Sequence, residues 1–249
     1  MTTLRKIVLL GGGFSDDPDT LLDDFVLSHA RAKRPKICFL PTASGDSDGY
    51  VRRFHVAFGE RDDCEPAHLP LFRRTHHDLR AFLLAQDIVY VGGGNTANML
   101  AVWREHGVDD ILREAYGNGT LLCGISAGAA CWFEACLTDS FGPLAPLTGG
   151  LGILPGSMCP HYDSEAERRA AYLSAVASGA LPEGWALDDG AAALFADGRL
   201  ADVVSRAPNS ALYQVARCVE AVRSAAPDAV ETRFPASLPA SRRLEIERP

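Results

Sequence analysis

Four short runs, at 6–10, 36–40, 87–91 and 120–124, are almost continuously apolar, and longer stretches of helical periodicity lie between them. A strand that is apolar on both faces is stable only when both faces are covered, as in a parallel sheet between helix layers. The helical stretches fall at 19–31, 47–59, 77–85, 96–106 and 108–117, with Asp19 and Thr96 expected as N-caps. This alternation predicts an α/β fold with a doubly wound, mainly parallel sheet sandwiched by helices. A length of 249 residues suits one domain spanning 1–249.

Beyond Ala127 the pattern changes. A helix is expected to about Cys136, then a Gly/Pro-rich passage over 142–160 and a helix over 165–178. Runs at 185–187, 191–195 and 201–204 are separated by Asp188-Asp189-Gly190 and Asp197-Gly198-Arg199, so they read as antiparallel strands joined by tight turns. An edge strand is expected near 230–234, with a frayed tail from about 236.

Composition narrows the classes of function. With 47% hydrophobic and 22% charged residues, a wholly disordered chain is excluded. The net charge of −8, without a Lys/Arg cluster, argues against a nucleic-acid partner. Seven cysteines at irregular spacing, with no Cys-x-x-Cys, read as buried free thiols rather than disulfides or zinc ligands. The N-terminal run lacks the features of a signal peptide and no apolar run reaches membrane-spanning length, so the expectation is a cytoplasmic protein with no membrane partner.

Open α/β sheets bind ligands at the carboxyl ends of their strands. Here those turns are Gly11-Gly12-Gly13, Pro41-Thr42-Ala43-Ser44, Gly92-Gly93-Gly94-Asn95 and Gly124-Ile125-Ser126. Gly124-Ile125-Ser126-Ala127-Gly128 has the Gly-x-Ser-x-Gly form of a nucleophile elbow between strand and helix, which makes Ser126 the candidate nucleophile. A serine needs a base, and His161, in a loop before an expected helix, is better placed for it than the helix-borne histidines. For the acid that orients the base, Asp139 is favoured, with Glu134 and Asp163 as alternatives. Amides of the glycine turn Gly92-Gly93-Gly94-Asn95 can face an oxyanion without a Cβ in the way, and with the amide of Ala127 they would form an oxyanion hole. Gly11-Gly12-Gly13 does not fit Gly-x-Gly-x-x-Gly, because Asp16 stands at the last position, and reads as a simple turn.

The glycine turn with Asn95, the elbow, the Thr138-Asp139-Ser140 segment and Pro160-His161-Tyr162, in this order, resemble the S51 peptidases, a family that includes peptidase E (aspartyl dipeptidase) and cyanophycinases. The resemblance implies a fold like that of the class I glutamine amidotransferases (flavodoxin-like). It also implies hydrolysis of short peptides of the dipeptidase or exopeptidase type, without metal or organic cofactor. Carried over by motif, Ser126 is nucleophile, His161 base and Asp139 orienting acid, with Gly94 and Ala127 as oxyanion donors. A homodimer is a further expectation from the family. The arginine-containing stretch by which peptidase E reads aspartate has no clean counterpart, since Arg168-Arg169 follows His161 after a shorter interval.

Three other readings compete. An α/β-hydrolase esterase shares the elbow but needs a histidine far downstream, and none follows His161. A glutaminase needs cysteine at the elbow, whereas Cys123 lies in the strand before it. A catalytically silent binding module of the same fold is the non-enzymatic alternative.

Overall fold

The computed structural model describes residues 4–12, 19–218 and 228–236. Five strands, β1 (Lys6–Leu10), β2 (Lys36–Leu40), β3 (Glu65–His68), β4 (Ile88–Val91) and β5 (Leu121–Ile125), form a parallel array in the order β1-β5-β4-β2-β3. A hairpin of β10 (Ala191–Ala196) and β11 (Arg199–Ser205) adds antiparallel to the β1 edge, making seven strands. Asp197 and Gly198 both take positive φ, 46° and 77°, as a two-residue hairpin turn requires.

Why the parallel strands read as continuous apolar runs is visible in their packing. Val8 and Leu10 of β1, Phe39 of β2 and Tyr90 of β4 meet helices α1 (Leu21–Ser28) and α2 (Asp48–Phe58) on one face. Ile7, Leu9, Cys38, Leu40, Val89 and Val91 point to the other face. There they meet α3 (Leu79–Leu84), α4 (Thr96–His106), α5 (Val108–Asn118) and the short α6 (Ala127–Ala130). Asn95, not Thr96, caps α4: its side chain accepts from Asn98 N at 2.8 Å, and Thr96 is the first helical residue. Asp19 likewise stands outside α1, accepting from Leu21 N at 3.1 Å.

The elbow helix is shorter than expected. It stops at Ala130, and β6 (Phe133–Thr138) begins a second, six-stranded sheet. The backbone of 131–134 gives its carbonyls to the returning Gly-rich chain: Leu154 N donates to Trp132 O, Leu151 N to Cys131 O and Gly150 N to Glu134 O. A helix through Cys136 would withdraw those acceptors. The Gly/Pro-rich passage itself supplies β7 (Ala145–Thr148) and β8 (Leu154–Pro160), followed by α7 (Arg168–Ser178). With β9 (Gly184–Leu187), β12 (Ala211–Arg217) and β13 (Ala229–Pro235), the second sheet runs β13-β12-β9-β8-β6-β7. One face packs through Phe133, Met158 and Leu212 into the core beside the first sheet; the other packs against Tyr172 and Val176 of α7.

One expected turn is therefore not a hairpin. β9 belongs to the second sheet and β10 to the first, so Asp188-Asp189-Gly190 carries the chain from one sheet to the other. The antiparallel edge strand near 230–234 is present as β13. The tail beyond 236 and Gly13 of the first glycine turn lie outside the described residues.

Candidate active site

β5 ends at Ile125 and the chain turns abruptly at Ser126, whose φ of 56° and ψ of −115° are unusual for a residue with a side chain. The amide of Ser126 donates to Leu10 O at 3.2 Å, tying the turn to the end of β1. The two flanking glycines are required by close approach. A Cβ on Gly124 would lie 2.2 Å from Gly128 O, and one on Gly128 would lie 2.2 Å from Val91 O.

His161 follows β8 and also takes a left-handed φ of 56°. Its Nε2 lies 2.8 Å from Ser126 Oγ and its Nδ1 lies 2.7 Å from Asp189 Oδ1. Asp189 sits in the crossing from β9 to β10, and its amide donates to Asp163 Oδ1 at 2.8 Å. Burial by itself would raise the Asp189 carboxyl. Hydrogen bonds from His161 and Ser164, with the charges of His161 and Arg168, hold it below its ordinary value instead.

The acid in contact with the histidine is thus Asp189, not Asp139. The Asp139 side chain is 61% exposed and faces Arg168, with Oδ1 3.8 Å from Nη2. The elbow helix ends at Ala130, and β6 then carries the chain from Phe133 to Thr138, so that Asp139 follows at the rim of the cleft. Glu134 accepts from Gly156 N at 2.9 Å, away from the histidine. Asp163 supports the backbone of Asp189 rather than the imidazole.

The glycine turn after β4 lies beside the serine: a Cβ on Gly93 would be 3.2 Å from Ser126 Cβ. Three of its amides are engaged, Gly92 N with Leu40 O at 3.1 Å, Gly93 N with Tyr50 OH at 3.0 Å and Asn95 N with Ala43 O at 2.8 Å. Gly94 N has no acceptor among the described residues, nor has Ala127 N at the start of α6. Gly94 takes φ 137°, and a Cβ there would strike Ala43 O at 2.2 Å. With only four residues, α6 brings free amides to the site but little macrodipole. Gly94, Ser126, Asp139, His161, Glu165 and Arg168 together border an open cleft of about 310 Å³. The Arg168 guanidinium, 5% exposed, donates to Glu165 Oε2 at 2.5 Å.

The first glycine turn has a role that its sequence did not disclose. A Cβ on Gly11 would lie 1.9 Å from Asp188 O, and one on Gly12 would lie 2.1 Å from Asp189 Oδ1. These glycines make room for the turn whose carboxylate contacts His161. Cys123 points the opposite way, fully buried against the α1/α2 core, and burial raises its thiol well above the ordinary range.

The family model for peptidase family S51 matches residues 7–203, most of the chain and every residue of this site. The chain belongs to peptidase family S51. Among S51-related sequences it is 50% identical to the uncharacterized peptidase YgaJ of Bacillus subtilis over 214 residues, 85% of this chain and 92% of that protein. It is 34% identical to peptidase E of Haemophilus influenzae over 129 residues, 46% of this chain and 58% of that protein. Two solved structures share its fold: a peptidase from an acI-B1 actinobacterium (TM-score 0.66, 17% identity, 95% of this chain and 96% of that one) and a putative peptidase E from Listeria monocytogenes (TM-score 0.62, 18% identity, 82% and 100%). In this S51 chain no helix among the described residues is long and apolar enough to cross a membrane.

Proposed function

We propose that this S51 peptidase is a serine peptidase hydrolysing short peptides, of the dipeptidase or exopeptidase type, through an acyl-enzyme at Ser126. The observation that carries this reading is the unbroken line Ser126 Oγ–His161–Asp189, at 2.8 and 2.7 Å. In the first step His161 Nε2 accepts the hydroxyl proton as Oγ bonds to the scissile carbonyl carbon, while Asp189 holds the Nδ1 proton and stabilises the imidazolium. The carbonyl oxygen, now an oxyanion, lies within reach of the free amides of Ala127 and Gly94. His161 returns its proton to the leaving amine as the C–N bond breaks. A water then repeats the sequence, giving the acid product and free Ser126.

Two features favour small charged substrates. The cleft is small, and its wall carries Arg168, Glu165 and Asp139, which suit the termini of a short peptide. Because Arg168 is already matched by Glu165 and faces Asp139, strict selection of an acidic side chain is not part of the proposal. The parallel array with its strand-end site fits the expected kinship with class I glutamine amidotransferases, with serine at the elbow and Cys123 buried behind it.

Hydrolysis of a dipeptide panel alongside short-chain esters tests the reading. Wild type is expected to cleave dipeptides, and Ser126→Ala and His161→Ala each to lose roughly 10³-fold or more in kcat. Dipeptide cleavage by Ser126→Ala at the wild-type rate would refute it, and turnover of esters alone would move the assignment to an esterase.

A further inference from the structure

The residues next to the two relay partners, Tyr162 beside His161 and Asp188 beside Asp189, lead into one polar cluster between β12, β13 and α7. Tyr162 OH and the Arg169 guanidinium both donate to the carboxylate of Glu231 on β13, Arg169 Nε at 3.1 Å. The Arg169 guanidinium lies 5.4 Å from the ring centres of both Tyr162 and Tyr213. Tyr213 OH donates in turn to Asp188 Oδ2 at 3.2 Å. Asp188 is 2% exposed and is clamped to β12 twice over, its amide to Ala211 O at 3.1 Å and its Oδ2 to Ala211 N at 3.0 Å. A backbone bond from Tyr162 N to Leu187 O at 3.2 Å closes the ring.

His161 sits in a left-handed conformation that a residue with a Cβ keeps only where its surroundings over-determine it. The relay holds the His161 ring, while the backbone of the loop is held by Glu165 N on His161 O at 3.3 Å and by the bonds of Tyr162. Tyr162, the next residue, is fixed at both ends, by its amide to β9 and by its hydroxyl to Glu231. Asp189 has no regular element of its own, and the Asp188 clamp is what fixes the residue before it.

We propose that Tyr162, Glu231 and Asp188 are positioning residues, and that the cluster they form with Arg169 and Tyr213 sets the His161–Asp189 contact and with it the rate of acyl transfer. None of the three reaches the cleft that borders Ser126; they act through the two loops. The inference rests on the Ser126 reading above.

The test uses the full chain with Tyr162→Phe, Glu231→Gln and Asp188→Asn. Ser157→Ala is the control, since its hydroxyl joins Tyr172 and Pro182 O in the neighbouring α7 core without touching either loop. Rates of fluorophosphonate labelling, kcat and KM on a dipeptide, the low-field proton resonance of His161 Nδ1–H and thermal midpoints are measured on each. The expected result is a fall of about 10- to 100-fold in kcat and labelling rate for Tyr162→Phe, Glu231→Gln and Asp188→Asn alike, with KM within about twofold and a shifted or broadened resonance; a wild-type rate in Asp188→Asn alone would remove Asp188 from the positioning set. Ser157→Ala should lower only the midpoint. Wild-type kcat and an unmoved resonance in both Tyr162→Phe and Glu231→Gln would overturn the inference. So would losses in kcat that Ser157→Ala reproduces at an equal fall in midpoint. Failure of wild type to label at Ser126 would instead remove the reading beneath it, and is distinguished by that arm alone.

Discussion

At Arg168 a buried guanidinium borders the cleft with its charge already spoken for: Glu165 accepts from Nε and Asp139 faces Nη2. Glu165→Gln removes the charge that matches it while keeping the shape of the side chain. A charge-assisted hydrogen bond contributes about 1.5–3 kcal/mol, so kcat/KM for dipeptides bearing an acidic residue, relative to neutral ones, should rise roughly tenfold in that variant. Steady-state kinetics on matched substrates checks it, and an unchanged ratio means that Arg168 does not meet the substrate. Residues differ in how well they could be read from the chain. Ser126 and the glycines around it announce themselves, because a strained turn with close backbone contacts tolerates few other residues. His161 is legible as the one loop histidine beyond the elbow. Asp189 is not, since Asp-Asp-Gly after a short apolar run is also the ordinary sequence of a hairpin turn, and Asp139 is nearer to Ser126 in the chain without being nearer to His161 in space.

The turn after β1 shows how an element serves the site without contributing a reacting group. Gly12 lets the Asp189 carboxylate come within 2.7 Å of His161, and a methyl group at Gly12 would overlap that carboxylate rather than any backbone atom. Gly12→Ala is therefore expected to displace the acid and leave the fold in place. Its kcat should fall about 10- to 100-fold with a thermal midpoint near that of wild type, and a variant with wild-type kcat would mean that the carboxylate has room to spare. Four of the five parallel strands were legible because each is covered on both faces and so is almost continuously apolar, whereas β3, Glu-Pro-Ala-His at the sheet edge, is partly exposed and has no such run. β6 and β9 were harder: the start of β6 follows a helical turn without a break in hydrophobicity, and nothing local tells β9 to leave the sheet that β10 joins.

Across the whole molecule the two sheets bury two carboxylates that carry their own pH signature. Asp23, 4% exposed on α1, and Asp188, 2% exposed, are both pushed up to about 6, burial being the main cause in each. Between about pH 4 and pH 6 the folded chain keeps protons on these groups that the unfolded chain has released, so stability is greatest at the acid end of that window and falls as pH rises through 6. Asp63 and Asp189, whose carboxyls are lowered, contribute with the opposite sign, so the effect is isolated by comparing wild type with Asp23→Asn. Chemical denaturation should show wild type losing about 2 kcal/mol relative to that variant between pH 4 and pH 7; a gap that is constant or of opposite sign would contradict the burial argument. The α/β alternation and the site at the strand ends follow from hydrophobic patterning, whereas the division into two sheets depends on long-range pairing such as β8 with β9, which has no local signature. That division is also what brings Asp189 to the histidine. The most direct test is therefore the rate and site of fluorophosphonate modification, read by intact mass and peptide mapping, in wild type, Ser126→Ala, Asp189→Asn and Asp139→Asn. Modification should fall on Ser126, vanish in Ser126→Ala, slow by roughly 10²-fold or more in Asp189→Asn and stay within a few-fold of wild type in Asp139→Asn. Modification of another residue, or a slow Asp139→Asn beside a normal Asp189→Asn, would contradict the assignment.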